Sequence, residues 1–235
     1  MSGEANRLKQ AAADAALELI TDGMAVGLGS GSTAELLLAP LAARVRAGLR
    51  VVGVPTSERT ATLARDLGIP LASLVEQPHL DITIDGADEI LLPSLTLVKG
   101  RGGALLREKL VAASTDREVI IADEGKLVAA LGTHLPLPVE VIPFGWQYVA
   151  GLLRALGCEP VLRAAAPGQL ATAQPYITDG GNYVLDCRFS AIPDPLKLAQ
   201  QIKLMTGVVE HGLFVGVAAL AIVAGPTGVR RFERD

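Results

Sequence analysis

The sequence predicts an α/β protein: a Rossmann-like, mostly parallel sheet carrying an inserted, smaller α+β unit. Three observations predict it. Short runs rich in Val, Ile and Leu alternate with helix-patterned stretches through residues 1–130, as expected of parallel strands covered on both faces. Gly, Ser, Thr and charged residues cluster at the carboxyl ends of those runs, in "GSGST", "PTS", "DGADE", "KGRGG" and "ADEGK", which is where such sheets bind ligands. From about residue 131 the order becomes strand, helix, strand, strand, helix, which fits a ferredoxin-like, split βαβ unit.

Residues 5–20 read as an Ala-rich helix, Ala being the strongest helix former. Met24 to Leu28 is a short apolar strand, and the Gly/Ser stretch after it leads into a helix beginning near Thr33. "LRVVGVPTS" is a second strand, with Thr56 and Ser57 placed to cap the helix "ERTATLARDLG". Gly68 and Pro70 end that helix. In "DITIDGADEI" the alternation Ile82, Ile84 marks a strand that breaks into Gly86 with Asp85, Asp88 and Glu89 around it. "LTLVKGRGGALLREKLVAAS" repeats strand, Gly-rich loop, helix, and "REVIIADEGK" is a strand with a charged end.

In the second unit, "LGTHLPLPVEVIPFGWQYVAGLLRALGCEPVLR" gives a Pro-marked strand, a helix from about Gly145 to Leu156 and another strand. "TDGGNYVLDCRF" is a strand entered through a Gly turn, and "DPLKLAQQIKLM" is a helix with Pro195 in its first turn. "GLFVGVAALAIVAG" returns to apolar strand character and rejoins the first sheet. The expected division is therefore residues 1–130 with 206–235 for the sheet unit, and 131–205 for the insertion.

Composition narrows the function. The net charge of −4 comes from interspersed acids and bases, which argues against nucleic acid or an anionic membrane as partner. Cys158 and Cys187 form no Cys-x-x-Cys pair and read as small buried hydrophobes. His79, His134 and His211 lack ligand spacing, so no metal site is expected. The N-terminal stretch lacks the unbroken apolar core of a signal peptide, and no segment is apolar enough to span a bilayer. The chain reads as cytoplasmic, or as a mature form imported elsewhere.

Two loops carry chemistry. "GLGSGSTAE" offers backbone N–H groups and the Ser30, Ser32 and Thr33 hydroxyls at a helix start, an anion site favoured by the helix dipole. The plainer reading is a capped helix after a turn. It is neither a Walker motif nor G-x-G-x-x-G, because Gly27, Gly29 and Gly31 are evenly spaced. "KGRGGALLREK" sets Lys99 at a strand end, then Gly100, Gly102 and Gly103, which admit close approach of a ligand. Helical periodicity puts Leu106 and Leu110 on one side and Glu108 with Ala104 and Ala112 on another, so periodicity alone makes Glu108 a solvated residue.

Taken in order, "GSGSTAE", "DGADE", "KGRGGALLREK" and "GVVEHGLF" resemble the ribose-5-phosphate isomerase family of the A type, from the N-terminal helix to about Phe214. The resemblance implies a cofactor-free isomerase that interconverts ribose 5-phosphate and ribulose 5-phosphate through an enediol(ate). By the family pattern Glu108 shuttles the proton between C2 and C1, and Asp85, Asp88 and Lys99 assist at the sugar oxygens and in ring opening. Ser30, Gly31, Ser32, Thr33 and Lys126 hold the substrate, chiefly through its phosphate, with Lys9 matching a lysine near the family's N-terminus. Gly86, Ala87, Gly100, Arg101 and Gly102 complete the expected binding set. Arg101 interrupts a run that is often all glycine in the family.

The chemistry suits the residues, since moving a proton α to a carbonyl requires a base and a positive or hydrogen-bonding group at the developing oxyanion. On this reading the carboxylates of "DGADE" grip sugar hydroxyls while Lys99 offsets their repulsion. Two rivals stand beside it: a non-catalytic sugar-phosphate sensor and an acyl-CoA transferase-like enzyme. The sensor is expected to carry a helix-turn-helix, and about 23 residues ahead of the first strand are too few for one. The expected partners are a sugar phosphate and further copies of the chain, as a dimer or tetramer.

Overall fold

A computed structural model describes residues 2–166 and 174–234. Its centre is a six-stranded sheet of β1 (Ala25–Leu28), β2 (Val52–Pro55), β3 (Leu80–Gly86), β6 (Thr115–Asp123), β13 (Ala218–Gly225) and β14 (Gly228–Glu233). The order is β14-β13-β6-β3-β1-β2, parallel except for β14, which returns antiparallel along β13. Of the apolar tail, Ala218–Gly225 thus rejoins the first sheet as its sequence suggests, while Leu213–Phe214 pairs in another sheet.

Four helices cover this sheet: α1 (Ser2–Leu17), α2 (Leu38–Arg46), α3 (Glu58–Asp66) and α4 (Leu105–Ala113). Ala12, Ala13 and Ala16 of α1 are at most 1% exposed and pack with Val119, Ile121, Leu220 and Ile222. Small side chains let the helix lie close to the sheet. A bulky residue at Ala13 would overpack that face, at a cost of about 1–3 kcal/mol. On the opposite face Ala112 of α4 packs with Ile120, Ala122 and Phe214.

The helix expected from Thr33 starts later. Ala34–Leu37 is a 3-10 turn and α2 begins at Leu38, because Pro40 has no N–H to bond back into that first turn. Ser57 caps α3 as expected, its hydroxyl accepting Thr60 N–H at 3.0 Å.

"DITIDGADEI" divides between two sheets. After β3, Glu89–Leu91 is β4, which joins β5 (Thr96–Val98), β7 (Leu127–Val128) and β12 (Leu213–Phe214) in the order β12-β5-β4-β7. A third sheet contains β8 (Leu137–Val141), β9 (Glu159–Leu162), β10 (Tyr183–Arg188) and β11 (Val208–His211), with α5 (Trp146–Ala155) and α6 (Pro195–Lys203) between strands. It is antiparallel throughout, in the order β11-β8-β10-β9, the split βαβ arrangement. Its core holds Val139, Leu153, Leu185 and Ile202 together with both cysteines. The fourth strand, β11, was hidden by Glu210 and His211, which are buried but polar. Residues 1–130 with 206–235, and 131–205 between them, stay a proposed domain division, with β11 crossing its second boundary.

Candidate active site

The polar clusters at the carboxyl ends of β1, β3, β5 and β6 meet around a cavity of about 350 Å³. Lys9, Ser30, Gly31, Ser32, Thr33, Gly86, Ala87, Asp88, Lys99, Gly100, Arg101, Gly102, Glu108 and Lys126 line it. Of the residues expected from the sequence, Asp85 alone lies behind this wall, 1% exposed.

The loop after β1 fits tightly against β3. A Cβ at Gly29 would stand 2.5 Å from the Asp85 Cα, so only glycine lets the two strands' ends approach this closely. Asp85 Oδ1 accepts Ser30 N–H at 3.1 Å and Gly86 N–H at 2.7 Å, fixing both loops. The Ser30 hydroxyl is already engaged, 2.6 Å from Thr56 Oγ1 and 3.3 Å from Thr60 Oγ1. Ser30 lines the cavity, and its hydroxyl ties the loop to "PTS". Ser32 Oγ accepts from Lys9 Nζ at 2.9 Å, which places a cation from α1 at this end of the cavity.

Lys99 lines the cavity between Asp85 and Glu108. It is 2% exposed, and its Nζ donates to Gly86 O and stands 2.9 Å from Asp85 Oδ2 and 3.5 Å from Glu108 Oε2. The Phe214 ring lies 5.5 Å from the same nitrogen. Burial works against its charge, but Asp85, Glu108 and Glu118 outweigh that and hold Lys99 protonated, above the usual lysine range.

Glu108 is 4% exposed and lies on the buried face of α4 with Leu105, Val111 and Ala112. Leu110 is 51% exposed instead, so the solvated face that periodicity suggests is the leucine's. The glutamate is drawn inward by Lys99, an interaction that hydrophobic spacing cannot register. Burial pushes its carboxyl up to about 8, with Lys99 opposing and the Asp85 and Asp88 charges adding. Its Oε2 makes no hydrogen bond among the described residues.

The three acids of "DGADE" divide their work, which corrects the idea that all of them face a sugar. Asp88 lines the cavity and its Oδ2 accepts Arg101 N–H at 2.9 Å. Glu89 is wholly buried and points away. It accepts Gly132, His134 and Leu135 N–H at 2.6, 2.8 and 3.0 Å, anchoring the approach to β8.

Three residues near the site escaped the sequence reading. Glu118 is 2% exposed in the middle of β6, and neither carboxyl oxygen has a hydrogen-bond partner among the described residues. Burial, then the Asp85 charge, raises its pKa well above normal, against Lys99 and with Glu108. A glutamate inside a strand buried on both faces was the available signal. Arg163 and Tyr176 reach the Gly100–Gly103 loop from the region of β9; nothing in the local sequence announces contacts across 62 to 74 positions.

Among the described residues no group of three or more His, Cys, Asp or Glu could hold a metal ion. No helix among them is long and apolar enough to cross a membrane.

Comparison with known proteins gives one answer. The family model described as ribose 5-phosphate isomerase A (phosphoriboisomerase A) matches residues 52–228. A protein named ribose-5-phosphate isomerase A from Synechococcus sp. is 58% identical over 98% of this chain and 99% of its own length. One of the same name from Gloeobacter violaceus is 57% identical over 94% of both chains. The solved ribose 5-phosphate isomerase A of Methanocaldococcus jannaschii superposes with a TM-score of 0.91 at 38% identity, covering 97% of this chain and 99% of that one. A D-ribose-5-phosphate isomerase in complex with phospho-erythronic acid gives 0.92 at 37% identity, covering 97% and 98%.

Proposed function

The chain belongs to the ribose 5-phosphate isomerase A family, and from that premise we propose how its cavity performs the reaction. The enzyme interconverts D-ribose 5-phosphate and D-ribulose 5-phosphate. The sensor and acyl-CoA transferase alternatives are not favoured, since relatives along the whole chain carry the isomerase name.

The observation that carries the mechanism is the buried Asp85–Lys99–Glu108 group at the cavity wall. The open-chain aldose lies with its phosphate toward Lys9, Ser32, Thr33 and Lys126, and with C1 and C2 beside Glu108. The ionised Glu108 takes the proton from C2, electrons move onto the carbonyl oxygen, and an enediol(ate) forms. Lys99, held cationic and fixed by Asp85, stabilises that oxygen. Glu108 then returns the proton to C1, giving the ketose. Asp88, beside the sugar hydroxyls, assists in opening the ring and in moving the hydroxyl proton. Because the ammonium of Lys99 supplies the positive charge, the reaction as proposed uses no metal or cofactor.

Turnover of ribose 5-phosphate, followed spectrophotometrically after exhaustive chelation, tests this reading. Activity should persist and the C2 proton should exchange with solvent. A loss restored by one divalent ion would overturn the role given to Lys99. We further propose that the enzyme acts in the pentose phosphate pathway of the cytoplasm as a dimer or tetramer, a state that would cover exposed apolar side chains such as Phe144, Tyr148 and Leu204.

A further inference from the structure

The Gly100–Gly103 loop forms one wall of the cavity, yet its glycines give it little reason to keep one shape. Gly100 and Gly103 have φ of +100° and +82°, in the region only glycine enters freely. Besides its own turn bond, Gly103 N–H to Gly100 O at 2.9 Å, what holds the loop comes from outside it. Arg163 Nη1 donates to Arg101 O at 2.9 Å and to Gly100 O at 3.3 Å. Tyr176 donates its hydroxyl to Gly102 O at 3.0 Å. Three successive carbonyls are thereby held from one side.

Arg163 is itself anchored. Its Nε donates to Asp186 Oδ2 at 2.9 Å and its Nη2 to Asp186 Oδ1 at 2.5 Å, a two-point pairing that leaves Nη1 for the loop. Its guanidinium lies 5.6 Å from the Tyr176 ring centre. Tyr176 sits directly on the loop, because a Cβ at Gly103 would fall 2.3 Å from its hydroxyl oxygen.

In a trans peptide the carbonyl and the following N–H point in opposite directions. Holding the Arg101 carbonyl toward Arg163 therefore turns the Gly102 N–H the other way. The neighbouring amides are spent: Arg101 N–H on Asp88 and Gly103 N–H on Gly100 O. Gly102 N–H has no partner among the described residues, and Gly102 lines the cavity.

We propose that Arg163 and Tyr176 are positioning residues that fix the Gly100–Gly103 loop so that the Gly102 N–H donates to an oxygen of the reacting sugar. This rests on reading the cavity as the sugar-phosphate site. Neither side chain touches substrate; both act through the loop backbone.

The test compares Arg163→Gln, Arg163→Lys and Tyr176→Phe with the unaltered enzyme, measuring kcat, KM, melting temperature and amide hydrogen exchange across residues 99–105. A displacement of about 1 Å at a reacting centre costs on the order of 100-fold, so Arg163→Gln should lower kcat roughly 10- to 100-fold. KM should stay within about threefold, because the phosphate is held elsewhere. Lysine at 163 recovers only part of the rate, since it cannot pair Asp186 at two points and still span two carbonyls. Tyr176→Phe keeps the ring and loses one bond, giving a smaller fall in kcat, and loop exchange should quicken in all three.

Folded Arg163→Gln with kcat within about twofold of the unaltered enzyme and unchanged loop exchange would overturn the proposal. So would equal losses that merely follow a lowered melting temperature. If Arg163→Gln does not fold, Tyr176→Phe decides on the same criteria. If the unaltered enzyme fails to turn over ribose 5-phosphate, the reading of the site fails, while loop exchange still reports whether the two side chains hold the loop.

Discussion

Replacing Glu108 by glutamine should make the enzyme nearly inactive and more stable at once. A general base contributes about 10²–10⁴-fold to rate, and glutamine cannot accept the C2 proton, so turnover should fall by that order. The affinity for a stable sugar-phosphate analogue should change far less, because the lost interaction acts in proton transfer. The stability term follows from the same burial. With its carboxyl pushed from 4.5 to about 8, Glu108 binds its proton more tightly in the folded state than in the unfolded one. The folded form is therefore favoured by protonation, and stability drains away as pH rises through that window.

At pH 7 the chain is about 2.5 units into it, and at about 1.4 kcal/mol per unit the deficit is on the order of 3 kcal/mol. Glutamine carries no such deficit. For a chain of this size that corresponds to a rise of roughly 6–12 °C in melting temperature at pH 7, vanishing below about pH 4.5. Calorimetry at pH 4.5, 6, 7 and 8, paired with the turnover assay, reads both halves. Glu124→Gln serves as control, since Glu124 lies at a strand end but off the cavity. Glu89→Gln would not serve, because it breaks three buried backbone bonds. Near-full turnover, or a stability difference that is flat with pH, would refute the role and the burial argument respectively.

Other consequences are equally direct. The rate constant kcat/KM should rise as pH increases toward about 8, because only the ionised Glu108 accepts a proton; a profile flat from pH 6 to 9 would contradict this. Lys126→Ala and Lys9→Ala should each raise KM for ribose 5-phosphate roughly 10- to 100-fold, the worth of one charged hydrogen bond, while free ribose is a very poor substrate for every form. Equal turnover of ribose and its 5-phosphate would remove the phosphate from that end of the cavity. Glu118→Leu should stabilise the fold by about 1–3 kcal/mol at pH 8, because it removes a buried carboxyl without hydrogen bonds; a lower melting temperature at that pH would show that Glu118 supports Lys99 more than it strains the sheet.

How legible all this was depended on whether a residue's partner lay nearby in sequence. The parallel sheet was legible because β1, β3 and β6 are apolar runs punctuated by polar strand ends, and the convergence of those ends follows from parallel topology. Ser57 was legible as a cap because its partner, Thr60, is three residues on. Glu108 was legible only through the ordered motif set. Its own helix pattern pointed to solvent, since the charge that draws it inward is Lys99, nine positions away across a loop. Glu89 was grouped with Asp85 and Asp88 because its three donors, which lie more than forty residues downstream, leave no local signal. The break at Gly86 was legible, but the strand that follows it was not, because β4 owes its separate sheet to β5 and β7, not to its own residues.

The Asp85–Lys99–Glu108–Glu118 group sets folding against catalysis. Three carboxyls share one buried ammonium, so they cannot all be ionised at low cost. Asp85 has the best claim on Lys99, at 2.9 Å and with two backbone N–H groups on its other oxygen. Glu108 stands farther off, at 3.5 Å; its Oε2 and Asp85 Oδ2 both lack a hydrogen bond among the described residues, so the two N–H donors on Oδ1 are what set Asp85 apart. A fully satisfied carboxylate would be stable and a weak base. A buried carboxylate left short of donors is held ready to take a proton from carbon, with Lys99 close enough to stabilise the oxygen on which the charge develops. The folded state tolerates that unsatisfied oxygen because the surrounding apolar cluster of Ile120, Ala122, Phe214 and Ala112 supplies the stability that the group itself does not.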